Sequence, residues 1–392
     1  MVNGMEIQKL FPVCKDYLWG GVKLKEKYGK KTSCEPCAES WELSFHPDGK
    51  TMLESGKTLE ESVTAKELGE NVSGFPFFPV LIKFIDAENN LSVQVHPDDE
   101  YALANEDSFG KTEMWYIVEA AEGAGIYLGF SRDVTLEEYE RAIKGNTLTD
   151  LLNFYPVKAG DCYFIPSGTI HAIGAGCLIC EIQQNSNLTY RVYDYGRLDK
   201  NGRARELHVD KAMRVTDLKK YEPRQLSGNT LGVSKYFNVQ KLKVDGIMRL
   251  NATQKSFQCL TCTQGEGIVN RQKIECGDSF FVPAGFGEYT LDGKMTLILT
   301  DVRKYYLEIN SSDAFIEGKI VDDNKTVVGL AKTSANINSE NIVSLCKDLM
   351  ARANLSPSDI TGVNILASNT TEPSLADTVS SALGIAVIEN NI

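Results

Sequence analysis

Gly160-Asp161-Cys162-Tyr163-Phe164-Ile165-Pro166-Ser167-Gly168 recurs 117 residues later as Gly277-Asp278-Ser279-Phe280-Phe281-Val282-Pro283-Ala284-Gly285. A Gly-Asp turn, a short aromatic strand and a Pro-x-Gly turn, used twice, are the pattern of two double-stranded β-helix barrels in one chain. In such a barrel the turn after Pro-x-Gly delivers a side chain into the mouth. The first copy delivers His171. The aligned position of the second copy is Glu288, and no histidine follows His208. The second barrel therefore cannot build a matching histidine-based metal site, and a structural or lid-like role is expected of it.

Around the first copy stand two more informative stretches, Gln94-Val95-His96 and Lys111-Thr112-Glu113. With His171 they offer two imidazoles, one carboxylate and one amide oxygen. That is a divalent-metal set, most natural for zinc, once separate strands bring it together. On a strand, Gln94 and His96 project from one face, while Val93 and Val95 turn to a core. Nitrogen and oxygen ligands with an open position are typical of catalytic zinc. Lys111 shares the side of Glu113 on the same pattern, close to the metal.

Further out, most of the chain reads as short strands with Gly and Pro punctuation. Strands are predicted over 78–85, 91–96 and 114–119, and again within 160–194. Leu136, Tyr139, Ile143, Leu148, Leu151 and Leu152 predict a helical hairpin split near Gly145-Asn146. After Asp301 the texture changes. A three-strand meander is predicted at 305–309, 314–321 and 326–330. A helix at 341–353 follows with Ser339 as its cap, then a strand at 362–366, a helix at 374–383 and a strand at 385–388. The reading is mainly β. It places a metal-binding barrel at 1–210 with a small helical insertion near 134–154, a second, metal-free barrel at 211–302, and an α/β appendage at 303–392.

The 392 residues carry a net charge of −12, which argues against nucleic acid or an anionic membrane as partner. No run approaches the ~18 apolar residues of a membrane span. Met1 to Glu6 lack a basic head and an apolar signal core, so a cytoplasmic location is expected. Three cysteine pairs have CxxC spacing: Cys34/Cys37, Cys177/Cys180 and Cys259/Cys262. The last two read as strand interiors, where residues three apart face opposite sides and cysteine is a small buried hydrophobe. Cys34/Cys37, in a Pro-containing loop, is the pair most open to metal or oxidation.

The metal motifs, their order and the repeat resemble type I phosphomannose isomerases in their short bacterial form, over roughly residues 6–300. The likeness extends to Trp41-Glu42-Leu43-Ser44, Leu91-Ser92-Val93-Gln94-Val95-His96-Pro97, Glu181-Ile182-Gln183-Gln184-Asn185-Ser186-Asn187 and Thr189-Tyr190-Arg191-Val192-Tyr193-Asp194. It implies two cupin barrels and one zinc ion per chain, held by Gln94, His96, Glu113 and His171. Lys111, Glu181 and Arg191 would line the active site, with Lys83 and Ser92 helping to bind substrate. The implied reaction interconverts mannose 6-phosphate and fructose 6-phosphate through a cis-enediol. Arg191 suits the enediolate or the phosphate, Lys111 is an acid/base or oxyanion partner, and Glu181 and zinc-bound water are rival bases. Two positions depart from the pattern. Larger family members carry His before the motif Lys, where this chain has Gly110, and many carry Asp where it has Asn187. A competing reading is a non-catalytic, sugar-phosphate-binding cupin with a regulatory role. The last ninety or so residues resemble the N-terminal lobe of ROK-group sugar kinases, within the size of a small domain. There Tyr306 to Ser312 replace a glycine-rich phosphate hairpin, so a fragment without kinase activity is implied.

Overall fold

The computed structural model describes residues 4–198, 202–223, 228–312, 315–333, 339–353, 355–365 and 374–388. The chain divides into two compact units, Met1–Pro223 with Leu242–Leu299, and Arg224–Lys241 with Thr300–Ile392. The metal-binding barrel falls in the first unit, while the second barrel, read over 211–302, is divided between the two units. Residues 224–241 go with the C-terminal segment because Val233 is buried in one apolar cluster with Leu307, Ile316 and Val363. No helix among the described residues is long and apolar enough to cross a membrane.

The fold is mainly β. In the first barrel a six-stranded sheet runs in the order Val13–Lys15, Glu39–Leu43, Val80–Ala87, Cys177–Gln184, Glu113–Ala120, Cys162–Ile165. A five-stranded sheet runs Tyr190–Tyr193, Val93–Val95, His171–Ile173, Gly125–Phe130, Leu152–Pro156. Ile85, Trp115, Ile117 and Ile179 of the first sheet pack on Ile126, Leu128 and Ile173 of the second, so the sheets face each other across one core. The central strand Val80–Ala87 is buried along its whole length, which suits its run of β-branched and aromatic residues.

The repeated turns match bond for bond. Gly160 and Gly277 have φ of +94° and +95°, and Gly168 and Gly285 of +83° and +72°, a region that only glycine enters at little cost. Asp161 Oδ2 accepts from Lys158 N at 2.9 Å, as Asp278 Oδ2 accepts from Glu275 N at 3.0 Å. Thr169 N donates to Pro166 O at 3.1 Å, as Phe286 N donates to Pro283 O at 3.2 Å. In the second barrel these turns enclose an apolar cluster that includes Leu260, Phe280, Val282, Leu291 and Leu297.

The helical insertion is shorter than a hairpin. Helix Leu136–Lys144 starts on a Thr135/Glu138 capping box and stops at Gly145. Only one 3₁₀ turn, Leu148–Leu151, follows before Leu152–Pro156 joins the five-stranded sheet. Tyr139, Ala142 and Ile143 seat the helix against Val93, Val95 and Ala172 on the outer face of that sheet. The valines flanking Gln94 thus pack outward, as the alternation requires.

In the second unit the strands Val327–Thr333, Phe315–Asp322 and Tyr305–Ser312 form the expected antiparallel meander, though Ala314 lies outside the described residues. Ile360–Ile365 joins parallel to Tyr305–Ser312. Helices Ser339–Arg352 and Ser374–Leu383 follow the sequence reading, with Ser339 as the first helical residue rather than the cap. Around Val387 the chain makes only a single bridge, to Val363. A buried Arg303 links Asp301 at 2.9 Å and Asp322 at 2.5 Å, tying the start of the meander to its first hairpin.

Candidate metal and substrate site

Residues paired across antiparallel strands share a face of the sheet. In the six-stranded sheet, Val13, Trp41, Lys83, Glu181, Trp115 and Tyr163 pair in that order and form one transverse row. Glu113 stands two residues before Trp115, on the same inner face. In the facing sheet, Arg191, Gln94, His171 and Leu128 form a second row. The charged site is therefore two cross-strand rows looking at each other. His96, just past the Val93–Val95 strand, closes one end.

His96, Glu113 and His171 are buried, and their ligand atoms lie within 4.8 Å of one another. His171 Nε2 is 3.2 Å from Glu113 Oε1, and His96 Nε2 is 3.6 Å from Glu113 Oε2. Each ring is oriented from behind. His96 Nδ1 meets Leu188 O at 2.8 Å and His171 Nδ1 meets Thr169 O at 2.8 Å, so both Nδ1 atoms carry the proton and both Nε2 lone pairs face inward. Burial holds His96 well below the usual imidazole range, with Lys111 and His171 adding to the effect, and pushes His171 down to about 4. Burial thus favours the neutral form of both rings, the form that binds a metal.

Both Glu113 oxygens are buried, and Lys111 Nζ pairs with Oε2 at 2.5 Å. Burial raises the Glu113 carboxyl, and Glu181 adds to this against the pull of Lys111. A buried carboxylate paired with the Lys111 ammonium and two imidazole nitrogens aimed at it converge at one place, which suits positive charge. The donor set fits a divalent ion with nitrogen and oxygen ligands. Gln94 reaches the cluster with its amide nitrogen, 3.4 Å from His171 Nε2, where the sequence reading expected the oxygen. A half-turn of the amide exchanges the two ends.

Beside this cluster a cavity of about 250 Å³ is lined by Lys83, Ser92, Gln94, Lys111, Glu181 and Arg191, among others. All the residues read from the sequence as catalytic or substrate-binding face it. Glu181 accepts from Trp115 Nε1 at 2.9 Å and lies 3.6 Å from Lys83 and 3.8 Å from Lys111. Burial alone would raise its carboxyl, but Lys111 and Lys83 outweigh burial and hold it well below the usual range. For Lys83 burial opposes the charge, and Glu39 and Glu181 more than restore it. Arg191 is half buried and donates from Nη1 to Glu206 O at 2.9 Å. Burial and the neighbouring Arg205 push it below its ordinary value against the pull of Asp194.

Two family models match the chain: the type I phosphomannose isomerase catalytic domain over residues 7–121, and the mannose-6-phosphate isomerase cupin domain over 228–302. A probable mannose-6-phosphate isomerase of Bacillus subtilis, GmuF, is 38% identical over 74% of this chain and 98% of its own. The chain belongs to the type I phosphomannose isomerase family. The family's Streptococcus mutans mannose-6-phosphate isomerase is 35% identical over 72% of this chain and 93% of its own. A crystal structure of the Bacillus subtilis mannose 6-phosphate isomerase aligns with a TM-score of 0.69 and 34% identity, over 76% of this chain and 99% of that one. The chain is accordingly an enzyme of the aldose-ketose isomerase class with a candidate metal centre.

Both departures from the family pattern acquire a local explanation. A Cβ at Gly110 would lie 2.4 Å from Asp98 C and 2.6 Å from Asp99 N, so no larger residue fits without moving backbone. Asp99 Oδ1 accepts from Gly110 N and from Gln184 Nε2, each at 2.9 Å, which fixes the approach to Lys111. Asn187 lines the cavity and donates to Asp48 Oδ2 at 3.0 Å.

Sequence reasoning missed Glu39 and Arg205, which also line the cavity. Glu39 accepts from Trp41 Nε1 at 2.7 Å and lies 3.6 Å from Lys83. The signal was available, because Glu39 stands two residues before Trp41, the first residue of a motif already singled out, at strand spacing. Arg205 lies in a loop without periodicity and offered none.

Proposed function

We propose that this chain interconverts mannose 6-phosphate and fructose 6-phosphate through a cis-enediol, with one zinc ion held by Gln94, His96, Glu113 and His171. The observation that carries this reading is a three-residue ligand cluster beside a cavity that Gln94 and Lys111 line together with a carboxylate and further cations. A bound zinc supplies Lewis-acid polarisation of the substrate oxygens.

The protein's own groups do the rest. Glu181, ionised between two ammonium groups, faces the cavity, takes the proton from C2 and returns it to C1. Lys111 lies 3.8 Å from Glu181 and donates to the oxygen where negative charge gathers. Arg191, one strand from Gln94, stabilises the same developing charge with a fixed planar cation. Lys83 keeps Glu181 ionised and in place, and Ser92 offers a hydroxyl to the sugar. The metal-free second barrel has a structural role, in a cytoplasmic enzyme.

Conversion of fructose 6-phosphate by the full chain tests the reading. Turnover is expected to vanish with a chelator and return with zinc. A chain that binds the sugar phosphate with thermal stabilisation but never converts it refutes the reading.

A further inference from the structure

The cavity is electrostatically uneven. At the metal end, Lys83 and Lys111 are matched by Glu39, Glu181 and Glu113. Beyond Arg191 the balance reverses. Arg197 and Arg205 share a single buried carboxylate, Asp194, and the carboxylate of Glu206 is exposed.

Arg205 is held edge-on. Its Nε donates to Asp194 Oδ2 at 2.7 Å and its Nη2 to Asp194 Oδ1 at 2.6 Å. That leaves Nη1 without a protein acceptor among the described residues. Arg191 uses only Nη1, and its Nε is buried without a partner. Two guanidinium groups thus bring unpaired donors to one wall of the cavity. A buried donor without a partner is costly, and a planar fork of donors matches tetrahedral oxyanions best.

We infer that Arg205, oriented by Asp194, is a specificity-determining residue that binds the phosphomonoester dianion of the substrate, while Arg191 serves the developing charge. The inference rests on the proposed reaction and adds to it the residue that separates phosphorylated from free sugar. Arg205 touches the phosphate. Asp194 is a positioning residue that acts through it.

The test uses the zinc-loaded full chain, fructose 6-phosphate as substrate and inorganic phosphate as competitive inhibitor. Arg205→Ala is expected to raise KM about ten- to a hundredfold, the loss of one charge-assisted contact, with kcat within about threefold. Inhibition by phosphate should weaken by the same factor while zinc content stays at the wild-type level. Asp194→Asn should raise KM by a smaller factor. A zinc-replete Arg205→Ala with wild-type KM and wild-type phosphate inhibition overturns the inference, as does a fall in kcat with KM unchanged. Should the alanine variant not fold, Arg205→Lys carries the test, because it keeps the charge but loses the fork on Asp194. If the wild-type chain converts no fructose 6-phosphate, the proposed reaction fails on its own account. Phosphorus-31 titration of inorganic phosphate into wild type and Arg205→Lys then still decides the residue, and equal affinities overturn it.

Discussion

Glu113 and Gln258 occupy the same register position in the two barrels. Glu113 pairs with Ile165, the residue before the proline in the first repeat, and Gln258 pairs with Val282, the residue before the proline in the second. Around Glu113 the inner face carries Lys83, Glu181 and His171. Around Gln258 the amide is satisfied locally, accepting from Tyr289 Oη at 2.7 Å and donating to Asn251 O at 3.3 Å, and the interior is apolar. Five residues after the repeat's proline, the first barrel buries His171 and the second exposes Glu288. The turns and pairings are shared, so the barrel scaffold by itself specifies no chemistry. The chemistry lies in which side chains occupy the inward rows.

The comparison can be broken most severely at His171. His171→Ala should remove zinc from the purified chain and cut turnover by more than about a thousandfold. Full zinc occupancy, read by elemental analysis, would remove His171 from the ligand set. Arg191→Ala comes next. Zinc should stay, and kcat should fall by about two to three orders of magnitude, as for loss of a charge-stabilising donor. An unchanged kcat would take Arg191 out of the chemistry.

In the second barrel the same kind of change should register as stability rather than catalysis. Leu260→Ala opens a cavity in a fully buried position and should cost about 2–5 kcal/mol by denaturant titration, with zinc still at one per chain. Loss of zinc along with stability would mean that the second barrel does more than support. The smallest effect is expected from Gln258→Glu, which gives the second barrel the carboxylate of the first. With Glu288 in place of a histidine, zinc analysis should find no second ion, and the rate should stay within about twofold of wild type. A second bound zinc would show that the inward rows of the two barrels are closer to interchangeable than proposed here.

The repeat, the strands and the ligand positions were legible because each follows a short-range rule. Gly and Asp set the turns, period-two alternation sets the faces, and His, Glu and Gln are scarce enough on inner faces to stand out. The meander and both helices of the second unit were legible for the same reason. The helical insertion was overread, since Leu148, Leu151 and Leu152 keep helical spacing while the pull of the neighbouring Gly125–Phe130 strand takes Leu152 into the sheet. Glu39 was missed although it stands at strand spacing from Trp41, and Arg205 was missed because its loop leaves no local pattern. The grouping of 224–241 with the C-terminal segment likewise depends on where Val233 is buried, which no local signal announces. Gly110 looked like a lost functional group until its closeness to the backbone at Asp98 gave it a steric reason.

The central claim is that one ion sits where the two inward rows of the first barrel meet. Anomalous scattering at the zinc edge, from crystals of the zinc-loaded full chain, measures this directly. A single strong peak bounded by His96 Nε2, His171 Nε2, the Glu113 carboxylate and the Gln94 amide is the expected result. An empty map at that position, or a peak at Cys34 and Cys37 instead, would contradict it.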